Sequence, residues 1–309
     1  KRRAELLHRR GNLASLAGDA ELALQSYREA ISLTRQWATE DRQGLASSLL
    51  GEAGALSSLG QLQAAANSYA EALPLLESSL GESVELATEL MNSANVLNTL
   101  EQAALARQRI ERAQAMLRKL GDVDSGHDGH ALLELAKASL TLGEFERALH
   151  EAEGAKQAFI DTLGADHPYV WFPSFSAARA EQGLGLSVAA QQRIAATLQH
   201  YREQNDSGMQ LRVLQVQTEL ALDAGNIALA DESTRYAAPM VATLPENSLS
   251  RHWSMALQAA VQLALQHQQP SPDPSGIAHA RGLLQASAKA LADPLGERHS
   301  RVQRIQHWL

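Results

Sequence analysis

The sequence contains no cysteine, few aromatic residues and little of what a β-sheet is built from. The absence of cysteine excludes disulfide frameworks, thiolate zinc sites and cysteine nucleophiles, and it fits a reducing, cytoplasmic compartment. Aromatic residues make up 4% of the chain, and strands favour aromatic and β-branched residues, so a substantial sheet is excluded. No apolar run approaches the roughly 20 residues that span a bilayer, and no signal peptide opens the chain. The formal charge of −8 argues against a nucleic-acid partner, because such binding usually needs a basic surface.

What the sequence has instead is alanine and leucine, with 54 and 49 residues among 309. Both are among the best helix formers, so the predicted fold class is all-α. A single hydrophobic core stops growing near roughly 250–300 residues, so we expect either two domains or an architecture without one central core. The chain begins with Lys1 rather than methionine, which indicates a piece of a longer protein.

A repeat of about 42 residues, the kind of period that marks stacked structural units, runs along the chain. Shifting one cluster of turn glycine, two alanines and a tyrosine by that period gives a second such cluster, and further shifts give four more registers. The first two clusters are Gly18, Ala23, Tyr27 and Ala30, and Gly60, Ala65, Tyr69 and Ala72. Each unit predicts two helices joined at the glycine and packed closely through the alanines.

Seven such units are predicted, together covering residues 1–295, and a last amphipathic helix at 296–309 covers the open end. The units lie near 4–40, 46–81, 87–121, 129–163, 171–204, 211–244 and 249–292. An acidic residue recurs just before five of them, where it is expected to cap the incoming helix. These residues are Asp41, Glu82, Asp124, Asp166 and Asp206.

The repeat resembles the tetratricopeptide repeat (TPR). The matching features are the turn glycine, the Ala–aromatic–Ala triplet and a small residue at the eighth position of the unit, as at Gly11 and Ala53. The long period and the segment LGADHPYVW at 163–171 are similar to the kinesin-light-chain-like subclass common in bacterial signalling proteins. Leu7 stands where the family usually has tryptophan. The resemblance implies a right-handed α-solenoid of about seven TPR-like helical hairpins with a C-terminal capping helix, from a larger bacterial signalling or regulatory protein.

In such repeats the first helix of each unit lines a concave groove, and that geometry selects the candidate peptide-binding residues. Amides can donate and accept hydrogen bonds to a peptide backbone, aromatic side chains anchor partners, and a basic strip attracts an acidic segment. The candidates are Asn92, Asn95, Asn98, Lys137, Phe172, Phe175, Arg179, Arg212 and Gln215.

Other interpretations of these residues remain open. The asparagines could solvate an exposed face, and Phe175 could pack between units, as we expect for Trp171. Glu134 and Glu219 could neutralise the basic strip from within the chain.

Nothing in the sequence indicates catalysis. Phosphate-binding loops, dinucleotide fingerprints, zinc-protease motifs and serine-hydrolase elbows are all missing. The segment DVDSGHDGH at 122–130 offers metal-ligand residue types, but its spacing matches neither an EF-hand nor a zinc site. We therefore predict that the protein is not an enzyme and has no metal site and no cofactor.

The predicted function is a cytoplasmic interaction scaffold that binds an extended peptide or protein segment, with acidic residues on the partner and no membrane involved. Two alternatives remain. One is a sensory or regulatory domain for a small ligand or signalling peptide, controlling an attached kinase or transcription factor. The other is a self-association module that pairs two copies of the chain into a homodimer.

Overall fold

The computed structural model describes residues 1–121 and 126–309. These residues form fifteen α-helices, one short 3-10 helix and no strand. The chain divides into two compact units, Lys1–Leu142 and Gly143–Leu309. This boundary falls inside the fourth predicted repeat unit. Each compact unit has buried apolar clusters of its own.

The first compact unit contains seven helices, and its first six form three helical hairpins. In each hairpin the two helices pack side by side, and the second helix also packs against the first helix of the next pair. The helices are α1 (Arg2–Leu16), α2 (Ala20–Trp37), α3 (Arg42–Ser58), α4 (Leu62–Leu80), α5 (Val84–Thr99), α6 (Ala103–Leu120) and α7 (His127–Thr141).

The second compact unit continues the same alternation of first and second helices. A 3-10 helix at Pro168–Trp171 precedes its first hairpin. Its α-helices are α8 (Phe145–Leu163), α9 (Pro173–Gly183), α10 (Ser187–Glu203), α11 (Ser207–Asp223), α12 (Ile227–Ala242), α13 (Leu249–His267), α14 (Pro274–Leu295) and α15 (Ser300–Trp308).

Recurring alanines on the second helices let neighbouring helices approach closely, because they add little side-chain volume at the contact. One repeat position holds alanine in six units, and every one of these residues is fully buried. They are Ala23, Ala65, Ala106, Ala148, Ala190 and Ala230. In the first hairpin, Tyr27 lies one helical turn after Ala23, its ring is next to Gly11 and Gly51, and its hydroxyl donates to Asn12 Oδ1 over 2.7 Å. Small and large residues at fixed repeat positions thus fix the hairpin spacing.

The predicted turn glycines all adopt the left-handed backbone that ends a helix, with φ between 69° and 78°. A side chain strains this conformation and glycine does not. They are Gly18, Gly60, Gly143, Gly185 and Gly225. The third unit has Glu101 at this position, and it takes the same backbone with φ 58°.

The predicted helix caps are only partly correct. Asp41 and Asp206 accept hydrogen bonds from the backbone N–H groups of α3 and α11. The expectation was wrong at Glu82, because the shorter Ser83 caps α5 and Glu82 instead pairs with Lys119 across the surface. It was also wrong at Asp166, where His167 accepts from the N–H of Tyr169. Asp124 lies outside the described residues.

The last helix, α15, packs against both helices of the seventh hairpin, α13 and α14. Val302 and Ile305 on its inner face are buried. Its Trp308 ring stacks on Trp253 of α13 with centroids 5.8 Å apart. The C-terminal residues therefore end the second compact unit with an amphipathic helix.

Candidate functional site

The predicted site residues fall on first helices of both compact units. Three asparagines lie on α5 and one lysine on α7, in the first unit. The rest lie in the second unit, at the start of α9 or on α9 and α11. We call the first group the α5–α7 face and the second group the α9–α11 face. Each is a surface of its own unit.

Glu134 of α7 organises the α5–α7 face. Its Oε1 accepts hydrogen bonds from Asn95 Nδ2 over 2.8 Å and from Lys137 Nζ over 2.5 Å. Its Oε2 and its backbone carbonyl each accept from Asn98 Nδ2 over 2.9 Å. Glu134 therefore joins α5 to α7 and neutralises Lys137. Such neutralisation from within the chain was one of the alternatives that the sequence left open.

The three asparagines differ in exposure although they are evenly spaced in sequence. Asn92 and Asn95 are exposed, whereas Asn98 is buried at 8% exposure. Each step of three residues turns a helix by about 300°, so the row drifts by about 60° per step toward the neighbouring helix. Asn98 lies at the end of this drift, with its Oδ1 buried and unbonded. Asn92 and Asn95 are thus the members of the row that a partner can reach.

Two titratable groups on the α5–α7 face have shifted pKa values. Burial lowers the pKa of His130, with smaller effects from Glu134, which raises it, and from His127 and Lys137, which lower it. Burial raises the pKa of Glu89, and the hydrogen bond from Asn92 partly offsets this. Asn92 Nδ2 donates that bond to Glu89 Oε2 over 3.3 Å. The face therefore contains a histidine that resists protonation and a carboxylate that resists ionisation.

A buried carboxylate also organises the α9–α11 face. Glu219 of α11 accepts from Arg179 of α9 over 2.8 Å and from the indole Nε1 of Trp253 on α13 over 2.8 Å. The Arg179 side chain remains 38% exposed, while that of Glu219 is 9% exposed. From the sequence, Glu219 was expected only to neutralise the basic strip, and Trp253 was not expected at the site. The available signal was that Trp253 is one of only four tryptophans in a chain with few aromatic residues.

Arg212 is the most exposed of the predicted residues on the α9–α11 face. Its guanidinium lies over the ring of Phe175, 5.0 Å from the centroid. Phe175 itself is buried at 6% exposure within an apolar cluster, and Phe172 packs against that cluster while remaining partly exposed. The aromatic ring of Phe175 thus supports Arg212 from beneath.

Gln215 is buried at 8% exposure, and its amide is committed to neighbours on α13. Its Nε2 donates to the Ser250 carbonyl and hydroxyl and to the Ser254 hydroxyl, over 2.8–3.0 Å. These bonds hold α11 against α13. Gln215 and Asn98 therefore have the same structural role, one in each compact unit.

Trp171 is partly buried and stacks on a neighbour. Its ring lies parallel to the imidazole of His200, with centroids 4.2 Å apart. The ammonium of Lys156 lies 5.9 Å from the Trp171 ring centroid. The ring is thus in contact with two second helices, α8 and α10.

A small cavity lies in the second compact unit and a larger surface groove in the first. A cavity of about 20 Å³ in the second unit, bordered by Gln215, Thr218 and Ser254, has space for about one water molecule. A surface groove of about 460 Å³ in the first unit is bordered by Arg28 and Arg35. Both arginines are paired with glutamates.

In residues 1–121 and 126–309, no three histidine, aspartate or glutamate side chains meet in an arrangement suited to a metal ion. Asp122 and Asp124, from the segment at 122–130 that offers metal-ligand residue types, lie outside this part of the chain. Across the same residues, no helix combines the length and the apolar character that crossing a membrane requires.

Comparison with known proteins identifies the fold. A Rap protein in complex with competence and sporulation factor superposes with a TM-score of 0.64 at 13% identity, covering 99% of this chain and 98% of that chain. A tetratricopeptide repeat protein from Parabacteroides merdae gives 0.61 at 14% identity, covering 100% and 99%. A putative kinesin light chain with nearly identical TPR-like repeats from Podospora anserina gives 0.54 at 18% identity, covering 66% and 98%.

No protein-family model matches the chain, and no curated protein is detectably similar to it in sequence. The structural likenesses confirm the predicted fold: the chain is an all-α, TPR-type solenoid.

Proposed function

We propose that this protein is a non-enzymatic interaction scaffold that binds an extended peptide or protein segment along the first helices of its hairpins. The observation that carries the proposal is the orientation of Asn95. Its side chain is exposed, yet its amide is fixed by the hydrogen bond to Glu134. A preoriented amide loses less conformational freedom on binding than a mobile one.

The chemistry of the α5–α7 face suits a peptide backbone. After its bond to Glu134, Asn95 keeps its carbonyl oxygen and one N–H for a ligand, and Asn92 keeps the same groups after its bond to Glu89. Side chains three residues apart on a helix are about 5–6 Å apart. Peptide groups that point the same way along an extended chain recur every 6–7 Å or so. The two amides can thus bond to peptide groups on one edge of such a segment.

In the proposal, the positive charge of the α9–α11 face attracts acidic residues of the partner. Arg212 is exposed and supported by Phe175, and Arg179 is partly exposed beside Glu219. In the proposal, Asn92, Asn95 and Lys137 contact a segment bound on the α5–α7 face, and Phe172, Arg179 and Arg212 contact a segment bound on the α9–α11 face. Asn98, Phe175 and Gln215, all buried, position these residues.

The Rap structure supports the proposal at the level of the fold, because that protein is in complex with competence and sporulation factor. A solenoid of this type can therefore hold a second molecule. We include in the proposal the cytoplasmic bacterial signalling role expected from the sequence.

A peptide array followed by calorimetric titration tests the proposal. The array carries random peptides of about 12 residues with acidic and neutral sets, and the best-binding peptide is then titrated into the 309-residue chain. We expect Asn95→Ala to weaken binding on the α5–α7 face by tenfold or more, about 1.4 kcal/mol. We expect the same of Arg212→Ala for a peptide bound on the α9–α11 face.

Matched exposed residues on second helices provide the controls. Gln63→Ala on α4 and Arg118→Ala on α6 remove an amide and a guanidinium outside both faces, so affinity should stay unchanged. Arg179→Ala is unsuitable, because it leaves the buried Glu219 without its cation. Binding that survives both Asn95→Ala and Arg212→Ala would overturn the proposal.

A further inference from the structure

The hydroxyl group of Tyr201, near the C-terminal end of α10, is buried and has no hydrogen-bond partner among the described residues. The Tyr201 side chain is 2% exposed and belongs to the same apolar cluster as Phe175. A hydroxyl in this setting has lost its bonds to water without gaining others, which destabilises the fold. Such a group calls for an explanation.

The repeat shows that packing at this position does not need a hydroxyl. The equivalent residues of three other second helices are apolar and no more than 2% exposed: Leu76, Leu117 and Phe159. The equivalent residue of the first hairpin, Thr34, has a hydroxyl that donates to the Ala30 carbonyl over 2.9 Å. The ring of Tyr201 therefore serves packing, and its hydroxyl has no role within the fold.

The residue is held firmly where α10 meets α11. The backbone carbonyl of Tyr201 accepts from the N–H of Asp206 over 3.1 Å and from Gln210 Nε2 over 3.0 Å. Gln210 Oε1 in turn accepts from the hydroxyl of Tyr236 on α12 over 3.3 Å. Contacts with α11 and α12 thus fix Tyr201 through its backbone, while its hydroxyl stays unbonded.

Two charged groups act on the Tyr201 hydroxyl. Burial raises the pKa of Tyr201 to about 12, while Arg212 opposes this rise and Asp206 adds to it. The exposed guanidinium of Arg212 lies 5.0 Å from the ring centroid of Phe175. The Asp206 carboxylate accepts from the N–H of Met209 over 2.9 Å, where the positive end of the α11 dipole partly offsets its charge. An exposed cation is therefore the main charge available beside the hydroxyl.

We propose that Tyr201 is a second binding group, next to Arg212, for an aspartate or glutamate of the partner. The inference rests on the proposed function, because it concerns an acidic residue of the segment bound on the α9–α11 face. On binding, Arg212 turns from the Phe175 ring toward the carboxylate, and this rotation opens the way to the Tyr201 hydroxyl. The hydroxyl donates to one carboxylate oxygen and the guanidinium to the other.

The buried state of the hydroxyl favours this bond. A hydrogen bond to a carboxylate is charge-assisted and stronger than a neutral one. In the free protein the Tyr201 hydroxyl has already lost its water, so it gives up no bond when the carboxylate arrives. The cost of leaving it unbonded falls on the stability of the free protein, and the gain appears as affinity.

The test uses the best-binding acidic peptide of the array and a neutral copy in which asparagine and glutamine replace each aspartate and glutamate. Calorimetric titration of both into the 309-residue chain measures their dissociation constants. We expect Tyr201→Phe to weaken the acidic peptide about tenfold, whereas the neutral peptide should bind the variant and the wild type equally. Tyr201→Phe should also raise the thermal unfolding midpoint by about 1–3 °C, because it removes an unbonded hydroxyl from the interior.

Tyr27→Phe is the matched control. The Tyr27 hydroxyl lies in the other compact unit and donates to Asn12 Oδ1. Its removal should lower the thermal midpoint and leave the affinity for the acidic peptide unchanged. The two tyrosines should therefore differ in the sign of the stability change and in their effect on binding.

The outcomes separate this inference from the proposed function. If Arg212→Ala weakens the acidic peptide and Tyr201→Phe does not, the inference is overturned and the proposed function stands. Equal losses for the acidic and neutral peptides, or a lower midpoint for Tyr201→Phe, would also overturn it, because the hydroxyl then has another partner. If no acidic peptide depends on Arg212, the inference fails together with the role proposed for the α9–α11 face.

Discussion

The indole Nε1 of Trp253 donates a hydrogen bond to Oε1 of Glu219 over 2.8 Å. Trp253 is 1% exposed and Glu219 is 7% exposed. Arg179 binds the other carboxylate oxygen over 2.8 Å, so one side chain of α11 is bonded to both α9 and α13. Three successive first helices of the second compact unit are thus joined through a single buried carboxylate.

Removing the charge of Glu219 should destabilise the protein. Glu219→Gln keeps the shape of the side chain but leaves Arg179 without its buried anion, so we expect the free energy of unfolding to fall by about 2–3 kcal/mol. Urea denaturation measures the change. Glu153→Gln is the matched control, because the Glu153 side chain is 46% exposed and Arg193 keeps its pair with Glu181. The control should change stability by less than about 0.5 kcal/mol.

The contribution of Glu219 should depend on pH. Burial opposes its ionisation, but Arg179, then Arg301 and Arg304, and the bond from Trp253 together lower its pKa below the ordinary value of 4.5. A carboxylate with a lowered folded-state pKa stabilises the fold above the unfolded pKa, and this stabilisation is lost as pH falls through the folded pKa. Wild type should therefore exceed Glu219→Gln in stability at pH 7, and the difference should shrink steadily below about pH 4.5. A constant difference down to pH 2.5 or so would contradict the assignment.

Two glycines of α3 should respond oppositely to alanine. A Cβ at Gly51 would lie 2.5 Å from Tyr27 Cζ, whereas a Cβ at Gly54 meets nothing within 4 Å. Tyr27 is buried at 3% exposure and has no room to move. Gly51→Ala should thus cost about 1–3 kcal/mol, and Gly54→Ala should add about 0.5–1 kcal/mol because alanine favours the helix. Thermal unfolding of the two variants gives the comparison, and a shift of the same sign in both would refute it.

Asn98 and Asn92 should separate stability from binding. Asn98→Ala removes two bonds to Glu134 in a buried setting, so we expect a loss of about 1–3 kcal/mol. Asn92 is exposed, and Asn92→Ala should change stability by no more than about 0.5 kcal/mol. Chemical denaturation measures the free energy of unfolding of both variants. Equal losses would mean that the difference in burial between Asn92 and Asn98 does not affect stability. In the titration of a peptide bound on the α5–α7 face, Asn92→Ala should reduce affinity.

The hairpins could be predicted from the sequence because they depend on local properties. Alanine at fixed positions, such as Ala23 and Ala65, must be buried wherever two helices approach closely, and a glycine such as Gly18 must end a helix where the backbone is left-handed. Ser83 shows the limit of this approach. Whether a side-chain oxygen can cap a helix depends on the length of the side chain and on its exact position, to within one residue. The repeat pattern alone does not distinguish Glu82 from its neighbour Ser83.

The candidate site could be predicted only in part. The sequence placed Asn92, Asn95 and Asn98 on one row, but their burial depends on the turn of the helix and on the packing of α7 beside it. Phe175 and Arg212 were both expected to contact a partner, whereas the structure places the ring beneath the guanidinium.

By itself, then, the sequence determined the all-α class, the period of about 42 residues and the residues that make each hairpin close-packed, since these follow from helix propensity and side-chain volume within one unit. Only the tertiary structure decided which polar side chains remain available to a partner. Lys137 is neutralised by Glu134 within its own helix, and Glu134 is in turn fixed by Asn95 and Asn98 from 36 to 39 residues away. A carboxylate accepts whichever donors the packing of separate helices brings within about 3 Å, and that distance is set by the fold.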